Sequence, residues 1–242
     1  MVYAWRILTM IKVIFHHKKI KNKEPGVIYI DNTKSTYDHR MFSEIAGYKI
    51  LLEMLNEKKE DGSAKYGDND WISLNHYRRE FEKDAMDRTY IPQPAQLPCS
   101  LAQHYAVYHN IEDLKLCGQA VKEEFPNLIK PFEQIMNGNI FIPYNMCITT
   151  VAQFRDLCNF LFKTLDNVHK KIGTETYEDR LDYINRHPEW YTGKDKNNDP
   201  VYQVRIESFL AERLTTTYWL FVSRQIPVFP SRIILLEKDQ KI

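Results

Sequence analysis

The chain has 242 residues, 33 basic against 32 acidic, with 43% hydrophobic and 13% aromatic residues. That size and apolar content suit one large α/β domain spanning residues 1–242. The cancelling charges exclude the broad basic footprint that nucleic acid or an anionic membrane demands, so any anion recognition must be local.

Cys99, Cys117, Cys147 and Cys158 are scattered, with no pair at the two-residue gap of zinc or redox sites, and read as reduced thiols. The first fifteen residues are apolar but carry Arg6 and Lys12 and lack a small-residue cleavage site. They are also short of the roughly 20 uncharged residues of a membrane span. The expectation is a cytoplasmic protein with peripheral membrane association at most.

In chain order, residues 5–15 form an Ile/Val-rich run expected of a buried strand, and residues 27–30 suit a second short strand. Residues 43–59 carry Ile45, Tyr48, Leu51, Leu52 and Leu55 at helical spacing. Asp68-Asn69-Asp70 reads as a turn leading into a strand over 71–74. Pro92, Pro94 and Pro98 forbid regular structure until a helix from Ser100, and a further helix runs over 111–125. Residues 139–150 read as one edge or bent strand containing Pro143. A long amphipathic helix follows over 151–171, with Gly173 as its C-cap. Residues 190–200 suit a polar loop, 202–221 the last helix, and 226–236 a proline-bearing strand or tail. This order predicts a mixed central sheet layered by helices.

Three placements ask for an explanation. Arg213 projects from the middle of the apolar side of the last helix, formed by Ile206, Phe209, Leu210, Leu214 and Leu220. An inward guanidinium needs a carboxylate or an anion, because an uncompensated buried charge costs several kcal/mol. Arg205 and Glu212, seven residues apart, share one edge of that stripe, where they line a cleft or a solvated helix edge.

Glu44 sits near the centre of the other helix's apolar stripe, either as a first-turn charge favoured by the helix dipole or as an inward carboxylate. The third placement is Asn75-His76-Tyr77-Arg78-Arg79, which ends the strand over 71–74. Alternation would give His76 and Arg78 one face and Tyr77 and Arg79 the other. Ligands of open α/β sheets bind beyond the carboxyl ends of strands, and arginine forks match phosphate oxygens, so this segment suits a diphosphate or a sugar.

His76-Tyr77-Arg78-Arg79, Tyr144-Asn145-Met146-Cys147-Ile148 and Ala211-Glu212-Arg213-Leu214, with Ser43-Glu44-Ile45 before them, resemble bacterial domain of unknown function family 4422. Order and rough spacing agree over about residues 30–225. Glu80 stands where that pattern has a second Tyr, and Cys147 where it has an aromatic.

The resemblance implies a GT-A-like, nucleotide-diphospho-sugar transferase-like fold. It also implies a glycosyltransferase taking a nucleotide-sugar donor and a glycan or lipid-linked glycan acceptor in exopolysaccharide, capsular or lipopolysaccharide assembly. Glu44, Glu212 and Arg213 become the candidate catalytic residues, with either carboxylate a candidate base. Asn75, His76, Tyr77, Arg78, Arg79, Tyr144, Asn145 and Arg205 become the candidate substrate-binding residues. No cofactor is assigned. A divalent Mn or Mg is compatible with the fold, but Asp68-Asn69-Asp70 precedes its strand instead of ending it. The competing expectation is a non-catalytic protein that binds a glycan or nucleotide sugar on the same fold.

Overall fold

A computed structural model describes residues 10–190, 199–222 and 224–236. Strand β1 (Met10–His16) pairs in parallel with β2 (Ile28–Asp31) on one side and β3 (Trp71–His76) on the other. Between β2 and β3 lie the short α1 (His39–Phe42) and α2 (Glu44–Leu55). β3 turns tightly into β4 (Arg79–Phe81), followed by β5 (Thr89–Pro92) and β6 (Ala95–Gln96). Helices α3 (Leu101–Tyr108), α4 (Ile111–Glu124) and α5 (Ile129–Asn137) come next. β7 (Ile140–Phe141) and β8 (Cys147–Thr150) lead into α6 (Val151–Ile172). The chain then forms α7 (Tyr177–Asn185), α8 (Pro200–Gln203), α9 (Ile206–Val222), β9 (Val228–Ser231) and β10 (Ile233–Leu235).

The sheet runs β2-β1-β3-β8-β5-β9, with β4 and then β10 attached at the end of β3. β8 is antiparallel to both β3 and β5, whereas β9 is parallel to β5. Leu74 near the end of β3 therefore faces Cys147 at the start of β8. That reversal brings the Tyr144-Asn145 turn to the carboxyl ends of the parallel strands, where open α/β sheets bind ligands.

Ile11, Val13 and Phe15 of β1 and Ile72 and Leu74 of β3 enter the main core with α2, α6 and α9. On the other face, Ile14 packs with Ile20 and Tyr77 in a small cluster covered by loop residues. Lys12 shares that face and pairs with Glu80 at 2.9 Å. The fold is GT-A-like, a mixed sheet flanked by helices.

Several local readings change. Residues 139–150 are two strands, because Tyr144 and Asn145 adopt φ of 78° and 48° and turn the chain after Pro143. The proline-rich stretch contains β5 and β6: Pro92 ends β5, where a missing N–H costs nothing further along the ladder. The last helix is divided at Val204 and Arg205 into α8 and α9. Helices α1, α5 and α7 were not expected. The strand predicted from residue 5 begins at Met10 among the described residues, and 191–198 of the expected polar loop lie outside them. Gly173 caps α6 at φ 73°, as expected.

Candidate active site

The carboxyl ends of β1 and β3, the first turns of α1 and α2, and the start of α9 enclose a cleft with two chambers. The first, about 470 Å³, is lined by His17, Asn32, His39, Arg40, Tyr177 and Val201 among others. The second, about 380 Å³, is lined by Arg79, His104, Phe141, Tyr144, Ser208, Glu212 and Arg213 among others. Glu44, His76, Arg78, Tyr202 and Arg205 belong to both and form the wall between them.

Tyr77 and Arg78 are the two turn residues between β3 and β4, since His76 pairs with Arg79. The turn breaks the alternation expected of a continuing strand. His76, Arg78 and Arg79 therefore all reach the cleft, while Tyr77 folds back against Ile14 and Ile20. Tyr77 still borders the first chamber indirectly, edge-on to His17 at 5.2 Å between ring centroids.

Asn75 is not on the cleft wall. It is buried, donates to Ser73 O at 3.2 Å and Ser73 Oγ at 3.0 Å, and accepts the Phe81 amide at 3.0 Å. These bonds hold the hairpin, and Asn75, expected to bind substrate, lines neither chamber. Asn145 is likewise buried, with Oδ1 accepting from Thr215 Oγ1 at 3.0 Å and its carbonyl accepting from Tyr48 Oη.

His76 Nδ1 accepts the Arg78 amide at 3.2 Å, so the ring proton of the neutral imidazole lies on Nε2. Nε2 stands 3.3 Å from Glu44 Oε1. Burial first, then the Arg78 and Arg79 charges, bring His76 down to about 3, which keeps it neutral. Burial raises the Glu44 carboxyl and the Glu212 charge adds to the rise, against its own amide, Arg205 and Arg79. Among the described residues no Arg or Lys lies within 4.0 Å of the Glu44 carboxylate, and its side chain is a quarter exposed at 26%.

Glu212 is committed elsewhere: Oε1 accepts the Tyr144 amide at 3.1 Å and Oε2 lies 3.3 Å from Arg213 Nη1. Arg213 points inward as its helical position requires and is only 3% exposed. Its donors reach Phe209 O at 3.3 Å and His104 Nδ1 at 3.0 Å. His104 carries no sequence signal beyond its position after the prolines, and only the packing of α3 on α9 reveals its contact.

The four arginines around Glu44 each lie against an aromatic face, as does Arg40 against Tyr177, although Arg40 is paired with Asp38 and Glu178. The guanidinium carbon stands 5.1 Å from the Tyr77 ring for Arg78, 4.4 Å from Tyr144 for Arg79, 4.3 Å from Tyr202 for Arg205 and 4.8 Å from Phe141 for Arg213. Among the described residues only Arg213 of the four has a carboxylate within 4.0 Å. Aromatic stacking orients a guanidinium without neutralising it, so the donor edges stay free for an anion. Of Ser43, Tyr144 and Asn145, the non-glycine residues with positive φ among the described ones, Ser43 and Tyr144 line this cleft and Asn145 is buried beside Tyr144. Strained backbone of that kind costs on the order of 1–3 kcal/mol per residue and persists only where neighbours hold it.

Asp68-Asn69-Asp70 forms the turn entering β3, at the opposite end of a six-residue strand from the cleft, roughly 17–20 Å away. Asp68 pairs there with Arg155. Among the described residues no group of three His, Cys, Asp or Glu side chains is gathered as metal ligands.

Residues 87–185 match the family model described as Domain of unknown function (DUF4422). The DUF4422 match runs from β5 through α7 and includes His104, Tyr144 and Asn145. Glu44, the His76 to Arg79 segment, Arg205, Glu212 and Arg213 lie outside it. The chain is also similar to a solved structure described as the apo form of the bifunctional glycosyltransferase WbbM. The identity is 14% and the TM-score 0.67, over 96% of this chain. The chain spans 46% of the length of that structure. No curated protein matches. Among the described residues, no helix is long and apolar enough to cross a membrane.

Proposed function

We propose that the chain is a glycosyltransferase that moves a sugar from a nucleotide-sugar donor to a glycan or lipid-linked glycan acceptor. The observation that carries this reading is the set of four stacked guanidiniums beside Glu44 at the carboxyl ends of parallel strands, three of them with no carboxylate within 4.0 Å among the described residues. The fold and the DUF4422 match support it. An exopolysaccharide, capsular or lipopolysaccharide product follows from the family resemblance.

In this reading the nucleoside enters the first chamber, and its diphosphate meets Arg78 and Arg205 on the shared wall. The acceptor hydroxyl enters the second chamber. It attacks the anomeric carbon and gives its proton to Glu44, while the sugar–diphosphate bond breaks and its electron pair leaves with the diphosphate. Glu44 is the better base than Glu212, because it lies at the junction and its carboxylate is not spent on an arginine. The guanidiniums stabilise the leaving charge, the task that a divalent metal performs in enzymes with a strand-terminal Asp-x-Asp. His76, neutral, orients Glu44.

The test is a thermal-shift screen of nucleoside diphosphates and nucleotide sugars, with and without Mn²⁺, followed by donor hydrolysis and transfer assays. At least one donor raises Tm by mass action, without needing Mn²⁺. Arg78→Ala abolishes turnover with unchanged circular dichroism. Failure of every donor to shift Tm, or wild-type turnover in Arg78→Ala, overturns the reading. Donor binding without turnover in the unmodified chain selects the non-catalytic binding protein.

A further inference from the structure

We infer that the second chamber is built for a glycan bearing an oxyanion, a carboxylate or a phosphate, and that Arg79 selects it. Calling that glycan the acceptor rests on the glycosyltransferase reading; the anion site itself does not.

Arg79 opens β4 and lines the second chamber but not the first, so the donor diphosphate on the shared wall is not its natural partner. Its guanidinium makes no hydrogen bond or ion pair with any described residue, and its Nε is buried without a partner. It is nevertheless fixed in place. The Tyr144 ring beneath it belongs to a residue at φ 78°, anchored by its amide to Glu212 at 3.1 Å. The following residue, Asn145, is clamped by Tyr48 and by Thr215. The result is a preorganised, half-buried fork.

Among the described residues no carboxylate lies within 4.0 Å of the Arg79 guanidinium, although Glu44 is near enough to feel its charge. Of the chamber's two carboxylates, Glu212 is held by Arg213 and the Tyr144 amide, while Glu44 faces His76 on the shared wall. Arg213 on the α9 side is 3% exposed, spends its Nη donors on protein partners, and also keeps an unpartnered Nε. A ligand offering only hydroxyls would strip water from Arg79 and return weaker acceptors. An oxyanion returns the charge and two parallel hydrogen bonds, which also disfavours neutral glycans.

The test titrates methyl β-D-glucuronide, glucose 1-phosphate and methyl β-D-glucoside by calorimetry. The first chamber is saturated with whichever nucleoside diphosphate raises Tm, or left open if none does. One of the charged probes binds at least about tenfold more tightly than the neutral glucoside. Preference for the glucuronide assigns a carboxylate, and preference for the phosphate ester assigns a phosphate. Arg79→Gln collapses the ratio, whereas Arg79→Lys, which keeps charge but loses the fork, retains part of it; Tm of both variants checks folding.

Equal affinities in the wild-type chain, or a ratio that survives in Arg79→Gln, overturn the inference. Nucleotide binding without anion preference sinks this inference alone. Anion preference without nucleotide binding leaves it standing and sinks the glycosyltransferase reading.

Discussion

Glu44 Oε1 lies 3.3 Å from His76 Nε2, so the first residue of α2 and the last of β3 meet across the wall between the two chambers. Because His76 is held neutral, this contact orients the carboxylate without neutralising it.

Glu44→Gln should lower transfer by about 10²- to 10⁴-fold, the usual range for a lost general base. Burial raises the Glu44 pKa, so the acid limb of kcat/KM lies above the ordinary carboxylate range and disappears in the variant. The same rise means that ionising Glu44 destabilises the fold as pH climbs past the unfolded value of about 4.3. At pH 7 the variant is therefore expected to melt no lower than wild type. Undiminished transfer at neutral pH would remove Glu44 from the mechanism.

Asp113 of α4 is buried away from the cleft, its Oδ2 has no hydrogen-bond partner, and burial pushes its carboxyl up to about 7 despite the nearby Arg180. The unfolded chain releases that proton near pH 3.9 and the folded chain retains it until about 7, so stability declines across that window as pH rises. Asp113→Asn should flatten this decline and gain on the order of 2–4 kcal/mol above pH 7. Urea unfolding at several values between pH 4 and 8 measures it; identical slopes in both proteins would contradict it.

Glu207 at the start of α9 accepts Arg180 Nη2 at 2.7 Å and Nη1 at 3.0 Å, with both side chains fully buried, and His169 Nδ1 lies 2.8 Å from the same carboxylate. This pair ties α7, which brings Tyr177 to the first chamber, to α9, which begins beside Arg205. Glu207→Gln leaves a buried guanidinium without its counter-charge and should cost about 3–5 kcal/mol. A Tm within a degree of wild type would show that the pair contributes little.

Gly47 sits where α2 crosses β1, and a Cβ there would collide with Asn32 Oδ1 and the Phe15 ring. Gly47→Ala should destabilise by about 1–3 kcal/mol through overpacking, even though alanine favours helices. Since Asn32 lines the first chamber, nucleotide affinity should fall as well. Retained stability with weakened binding would mean that Asn32 yields instead of the helix.

Much of the fold was legible because hydrophobic period and punctuation agree in α2, α4 and α6. Ser100 and Gly173 mark a start and a stop by local chemistry alone. The brief strands β4 to β6 escaped, since a few residues cannot display a period, whereas α5 does carry one in Ile129, Phe132, Ile135 and Met136. Within the site, Arg213 and Glu44 stood out as charges on apolar helical faces, and both reach the cleft. Arg79 departs from the alternation expected of a continuing strand and joins His76 and Arg78 at the cleft, because a two-residue turn ends the alternation at His76.

By itself, the sequence determined which side chains point inward, because helical and strand periods are properties of a single segment. It also set the stock of cations and carboxylates at those positions. Only the tertiary structure decided their partners. The reversed strand β8 brings Tyr144 beneath Arg79, and α9 brings Glu212 to the Tyr144 amide, contacts spanning tens of residues that no local period encodes. Which aromatic face each cleft arginine meets, and where Glu212 is anchored, is therefore a consequence of chain topology.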